Sequence, residues 1–299
     1  MARKKNLERA IVLGLILSTG VYGSAWAELP RDMHFWRGES MHDTDTTTMD
    51  YPNQNLKIEG ESKDNEFDAA ILVTSTRPDN GNTYNYNVNY KLNSLNINIT
   101  KSAEGIENTS DNYYIAGIMT DGFDDEKTAN LILTTNEVID IKVNSENNFA
   151  AVGVWAQSDD SISLNSKNGN VTVIVKKTDG SNLSYINGSN EEDRTLHAVY
   201  GLNTSNDRDA ASYDPDDASY GSEIKITTDN GSISVTAKNE SEALTNSHVY
   251  AAANDNGHLI LSAGQGTGYD DTGSISLSAE SRGNNNVYGL DTWGAKKTD

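Results

Sequence analysis

An all-β chain coiled as a parallel β-helix is the fold this sequence predicts, and three observations lead to it. The segment NGSISVTA, Asn230 to Ala237, returns as TGSISLSA, Thr272 to Ala279, and more loosely as NGNVTVIV, Asn168 to Val175. Each copy is a turn signal followed by apolar/polar alternation, the pattern of a half-buried strand entered from a tight corner. Two other kinds of strand recur between the copies in a constant order, and helical periodicity is missing from the chain.

The first strand type alternates inward apolar with outward polar residues: Ile97 and Ile99; Ile139, Ile141 and Val143; Val171, Val173 and Val175; Ile233 and Val235; Ile275 and Leu277. The second centres on a small residue: YIAGIMTD around Gly117, AAVGVWAQ around Gly153, HAVYGLNT around Gly201, HVYAAAND around Ala251 and NVYGLDTW around Gly289. The third supplies the inward pairs Leu131/Leu133, Ile162/Leu164, Ile224/Ile226 and Leu259/Leu261. A less regular copy precedes these, with LKIEGES from Leu56, AAILVTST from Ala69 and YNYNVNY from Tyr84. The count is about six rungs of three strands, each spanning roughly thirty to sixty residues.

Like follows like only after two different strands, so coiling places matching residues above one another: Ile139 over Val171, and Val171 over Ile233. A single rung buries too little apolar surface to offset the ordering of its chain, so stability must come from stacking. The corner between third and first strand types is tight and rich in Asn and Gly, at Asn136, Asn168-Gly169 and Asn230-Gly231, residues that suit stacked turns. The other two corners swell, to Thr178–Arg194 and Ser205–Gly221. In the coil, Tyr200, Tyr250 and Tyr288 share a column and are expected to form an inward ladder, with Trp155 facing out.

Composition agrees with a thin repeating structure. Only 35% of the 299 residues are hydrophobic and 7% aromatic, low for a compact globule of this length. Lys plus Arg number 23 against 44 Asp plus Glu, a formal net charge of -21. That balance repels polyanions at long range, so no nucleic-acid partner is expected. There is no cysteine, which excludes disulfide scaffolds, thiol catalysis and Cys-based zinc sites.

Arg3, Lys4, Lys5 and Arg9 precede an apolar run from Ala10 to Tyr22, and Ala25-Trp26-Ala27 follows. This is a basic n-region, a short h-region and an A-x-A exit, so residues 1–27 are read as a signal peptide cleaved between Ala27 and Glu28. The run falls short of the ~20 apolar residues a spanning helix needs. Residues 28–55 read as a polar leader or N-terminal cap, whose Phe35-Trp36 pair suits a cover for the first sheet edge. Residues 56–299 are the coil.

The leader ending in GSAWAE, the GSISV and GSISL rungs and the VYGL strands resemble the passenger region of Gram-negative autotransporters, and the resemblance covers nearly the whole chain. It implies a right-handed parallel β-helix, export through the inner membrane, and passage across the outer membrane through a C-terminal β-barrel translocator. No barrel follows the coil here, and the chain stops at Asp299 just past a second-type strand, so it reads as a partial chain.

A search for chemistry finds little. Polysaccharide hydrolases on this fold resemble one another in N-T-D, D-D, G-H-G and R-I-K; here His258 lies in NGHL and there is no R-I-K. The acid pairs Asp124-Asp125, Asp159-Asp160, Asp216-Asp217 and Asp270-Asp271 read as solvated turn acids rather than the opposed carboxyls of a glycosidase. Neither a G-D-S-G serine-protease signature nor H-E-x-x-H is present, and Ser189 in NGSN reads as a turn. The Met/His echo at Met33-His34 and Met41-His42 reads as leader rather than a copper arm, and His197 and His248 as partly exposed rung residues. For calcium the candidates are Asp214, Asp216, Asp217 and Asp270, the last in QGTGYD, but a shared-ion array needs successive copies and here there is one. No cofactor, no metal and no enzymatic activity is expected. The expected role is a secreted, cell-surface scaffold, outer-membrane associated if a barrel follows. It would act as an adhesin, binding glycans or proteins of host or bacterial surfaces through outward loops. The alternatives are a polysaccharide-acting β-helix enzyme and a structural stalk for a missing tip.

Overall fold

The computed structural model describes residues 36–38, 44–62, 68–74, 85–102, 115–121, 128–146, 150–157, 159–178, 198–205, 221–241, 248–255, 257–264, 273–282, 286–293 and 297–298. Within them the regular structure is entirely strand. The strands are β1 (Trp36–Gly38), β2 (Thr44–Ser62), β3 (Asp68–Thr74), β4 (Asn85–Lys101), β5 (Ile115–Asp121), β6 (Ala129–Thr135), β7 (Ile139–Ser145), β8 (Ala151–Gln157), β9 (Ser161–Ser166), β10 (Val171–Lys177), β11 (Val199–Ser205), β12 (Glu223–Thr228), β13 (Ile233–Asn239), β14 (Val249–Asp255), β15 (His258–Ala263), β16 (Ile275–Ser281), β17 (Val287–Trp293) and β18 (Lys297–Thr298).

From β5 onward every strand pairs with the strand three places along, always in parallel. One sheet of seven runs β1-β3-β5-β8-β11-β14-β17. The other, of eleven, runs β16-β13-β10-β7-β4-β6-β9-β12-β15-β18, with β2 on β4. Its two arms meet in β4, whose first half pairs with β6 and whose second half pairs with β7. In β2 and β4 a third-type strand thus runs straight into a first-type one, and the ladders already include residues upstream of 56.

The expected columns are present. Val171 is in register with Ile139 on one side and Ile233 on the other, and Ile224 lies between Ile162 and Leu259. Along β7, β10 and β13 burial alternates residue by residue, as a strand with one face in the core requires. Side chains from all three strand types enter one apolar cluster, including Leu131, Ile141, Val173, Leu202 and Ile226, each fully buried.

The small residue at the centre of each second-type strand has a packing reason. The paired registers pass over it: Val199↔Val249 and Tyr200↔Tyr250 are followed by Leu202↔Ala252. A Cβ added to Gly117 would lie 2.5 Å from Ile141 Cγ2 and 2.6 Å from the Gly153 carbonyl oxygen. The seven-stranded sheet can approach the β7-β10-β13 arm only where that volume is empty.

The tight corner is a second repeating device. Asn93 Nδ2 donates to Asn55 Oδ1 at 2.8 Å, and Asn230 Nδ2 to Asn168 Oδ1 at 3.0 Å. Beneath them Thr135 Oγ1 donates to the Glu137 carbonyl at 3.0 Å, Ser166 Oγ donates to the same carbonyl, and Thr228 Oγ1 donates to the Gly169 carbonyl at 2.8 Å. Hydroxyls of one column therefore satisfy turn carbonyls that would otherwise be buried without partners.

One expectation is corrected. Tyr200 and Tyr250 are buried on the opposite face of the seven-stranded sheet from the main core, in a second cluster with Ala116, Met119 and Val152. Trp155 packs on that same cluster instead of facing away from the tyrosines. Second-type strands are apolar at both parities, so alternation could not say which face is the core. Among the described residues, the tyrosines buried in the main core are Tyr86 and Tyr90 of β4, with Tyr51 of β2 packed partly buried against it.

Gly117→Ala is expected to cost about 1–3 kcal/mol through overpacking. Gly289→Ala should be nearly neutral, because its added Cβ would meet only the Leu277 carbonyl oxygen, at 3.9 Å. Urea denaturation of the two variants measures the contrast, and equal losses would refute the packing account.

Candidate functional site

The groups with chemical potential fall into four places: the second-type face, the corner before the third-type strands, the inward end of the first-type strands, and the inserted segments. On the second-type face Tyr200, Tyr250 and Tyr288 are stacked, with ring centroids 5.0 Å apart and planes within 3° and 8° of parallel. His248 is buried against the stack, tilted at 5.6 Å from Tyr250 and 6.1 Å from Tyr288. This corrects its reading as a partly exposed residue: it immediately precedes β14 and turns onto the aromatic column. A sugar binds an aromatic by lying on its face, and in this ladder the rings cover one another's faces. The column stabilises the sheet through mutual stacking rather than offering a row of binding surfaces.

At the corner before the third-type strands, Asp160 is fully buried. Its Oδ1 accepts from the backbone N–H of Ala129 at 2.7 Å, and its carbonyl accepts from the N–H of Glu223 at 2.8 Å. Asp159 Oδ1 accepts from the N–H of Gly221 at 3.0 Å. Asp159-Asp160 is therefore not a pair of solvated turn acids. These acids accept backbone N–H groups from beside β6 and β12, the strands on either side of β9, which the sequence concealed because Ala129 and Gly221 are distant along the chain. Close by, Glu223 Oε2 lies 3.9 Å from His258 Nδ1, both side chains partly exposed.

The inward end of the first-type strands carries an unannounced feature. Lys101, Ser145, Lys177 and Asn239 occupy one column of the β4-β7-β10-β13 arm, and all four are buried. Burial pushes the Lys177 amine well below the ordinary lysine value of 10.5, because a charge loses its hydration there. The Tyr90 phenol is pushed well above 10.0, first by burial and then by Tyr86. Lys101 and Lys177 end runs of alternating polar residues, where a lysine reads as outward; the inward parity of the seventh position is the only signal that could have found them.

Among the described residues no group of three or more His, Asp or Glu could hold a metal ion. The calcium candidates Asp214, Asp216, Asp217 and Asp270, the cleavage site Ala27-Glu28, the pairs Asp124-Asp125, Asp216-Asp217 and Asp270-Asp271, Ser189, and His34, His42 and His197 lie outside the described residues.

Lys177 makes stability depend on pH with a definite sign. Its folded-state value is lowered, so below 10.5 the unfolded chain binds more protons there and stability falls as pH falls. Lys177→Met should remove a component of the alkaline slope of at most about 1.4 kcal/mol per pH unit. The comparison is urea denaturation of both proteins from neutral pH upward, and an identical slope in the variant would overturn the assignment. Comparison of the chain with protein-family models, with curated proteins and with solved structures returns no match.

Proposed function

We propose that the three ladders are the faces of a right-handed parallel β-helix of about six three-strand rungs. In this reading the helix is exported by a cleaved signal peptide and displayed at the cell surface as an adhesin-like, autotransporter-type scaffold. Its inserted segments bind glycans or proteins of host or bacterial surfaces. The observation that carries this reading is the indifference of the pairing to what interrupts it. Residues 178–198 separate β10 from β11, whereas residues 146–150 separate β7 from β8. Yet β8 and β11 pair residue for residue, Val199 with Ala151 and Thr204 with Ala156. Residues 206–222 separate β11 from β12, and still β12 keeps register with both β9 and β15. A scaffold whose register ignores insertion length can vary its loops at small cost in loop-closure entropy, and recognition concentrates on such loops. The polysaccharide-acting alternative has less support, because the described acid pair, Asp159-Asp160, is engaged by backbone N–H groups.

Two measurements test the reading. Replacing residues 179–197 and 206–220 with short Gly/Ser linkers should leave β-structure by circular dichroism intact. It should also weaken binding to target cells at least about tenfold, or ~1.4 kcal/mol; undiminished binding would remove the loops from the mechanism. Expressed with residues 1–27, the exported protein should begin at Glu28, and N-terminal sequencing that finds Met1 or another start would sink the cleavage site.

A further inference from the structure

Five Asn-Gly dipeptides occur in the chain, and two of them lie wholly within the described residues: Asn168-Gly169 and Asn230-Gly231. Both occupy the tight corner between a third-type and a first-type strand. The strands on either side are held in one register, Ser166 with Thr228 before the corner and Val171 with Ile233 after it. The two corners are therefore equal in length, and both asparagines are exposed to water. Their hydrogen bonding differs.

At the first corner the backbone is held. Asn168 N donates to the Asn136 carbonyl at 3.1 Å, and Gly169 N donates to Ser166 Oγ at 3.1 Å. At the second corner neither Asn230 N nor Gly231 N donates to an acceptor among the described residues. The Thr228 hydroxyl, in register with Ser166, donates to the Gly169 carbonyl at 2.8 Å. What anchors Asn230 is its carboxamide, whose Nδ2 donates to the Lys167 carbonyl at 3.2 Å and to Asn168 Oδ1 at 3.0 Å. Both of those bonds are exposed, where water competes for the same groups and the net worth of each is small.

We propose that Asn230-Gly231 is a site of spontaneous chemical modification, at which the folded chain converts Asn230 to isoaspartate and aspartate as it ages, while the held backbone spares Asn168. Glycine is the neighbour that favours this reaction, because no side chain hinders the approach of its nitrogen. Gly231 N attacks Asn230 Cγ: the N–Cγ bond forms, the Cγ–Nδ2 bond breaks, and ammonia leaves with the Gly231 proton. Solvent water then opens the cyclic imide at either carbonyl. Opening to isoaspartate lengthens the main chain by a methylene, in a corner where even a Cβ on Gly231 would lie 2.3 Å from the Gly169 carbonyl oxygen. Opening to aspartate keeps the main chain but sets a carboxylate against the two oxygens that Nδ2 had served. Both products loosen the junction of β10 with β13, and each adds a negative charge to a chain already at -21.

Peptide mapping by mass spectrometry tests the proposal, on the full chain kept folded in mildly alkaline buffer and sampled over time. The two backbone bonds at the first corner should make Asn168 convert at least about tenfold more slowly than Asn230, and the Asn230 product should include isoaspartate. In a chain unfolded by urea the two should convert at similar rates. Asn230→Asp, which makes one product directly, should unfold at lower urea than the wild type. No conversion at Asn230, equal or faster conversion at Asn168 in the folded chain, a difference that persists in urea, or an unchanged urea midpoint for Asn230→Asp would each overturn the inference.

Discussion

Parallel backbone pairing, from β5 onward between each strand and the strand three places along, is the constraint on which the rest of the molecule depends. It does not stop at the strand ends. Leu95 N donates to the Val138 carbonyl at 3.0 Å, Ile139 N to Asn170 at 3.1 Å, Val171 N to Ser232 at 3.0 Å and Ile233 N to Ser274 at 2.8 Å. The ladder thus runs through the tight corner as well as the strands. Because a one-residue slip would turn every core side chain outward, the register is locked by burial and the hydrogen bonds together.

Once register is locked, the column rather than the residue becomes the unit of design. Columns of Ile, Val and Leu build the core. A column of Gly and Ala lets two sheets approach. Hydroxyl and amide columns satisfy the corner carbonyls, and a mixed column of Lys, Ser and Asn closes the inward end of the first-type strands. The cost of a substitution follows from what its column does, so residues of one type behave differently. Gly117 is pressed between Ile141 and Gly153, whereas Gly289 has open space beside it.

The same logic separates the columns from what interrupts them. Among the described pairings the register slips within a strand at one place, between Tyr51 and Asn55 of β2 against β4, and the longer interruptions collect at two corners, where they cost little. An acid that the sequence reads as a solvated turn residue and a histidine that it reads as partly exposed are drawn into structural work near a corner, as with Asp160 and His248. The ladders also create a problem at their ends. At the outermost described strands, β16 and β17, the side chains that continue a column are more exposed than their inner partners.

Apart from β1, β18 and the part of β2 before Leu56, the strand positions, the three-beat order and the register of the β7-β10-β13 arm were legible in the sequence. Those strands alternate with a period of two, and that pattern depends only on neighbours along the chain. The stacked Asn and Gly of the tight corner were legible for the same reason, since turn chemistry is local. The face chosen by Tyr200 and Tyr250, the burial of Asp160 and His248, and the inward turn of Lys101 and Lys177 were decided only by tertiary structure. Second-type strands are apolar on both sides, and a corner residue is buried or exposed according to the strands paired on either side of it. The sequence by itself determined which strands repeat and in what register they stack. Which side of each strand became interior depended on how the sheets closed around the core, because that closure is a contact between residues far apart along the chain.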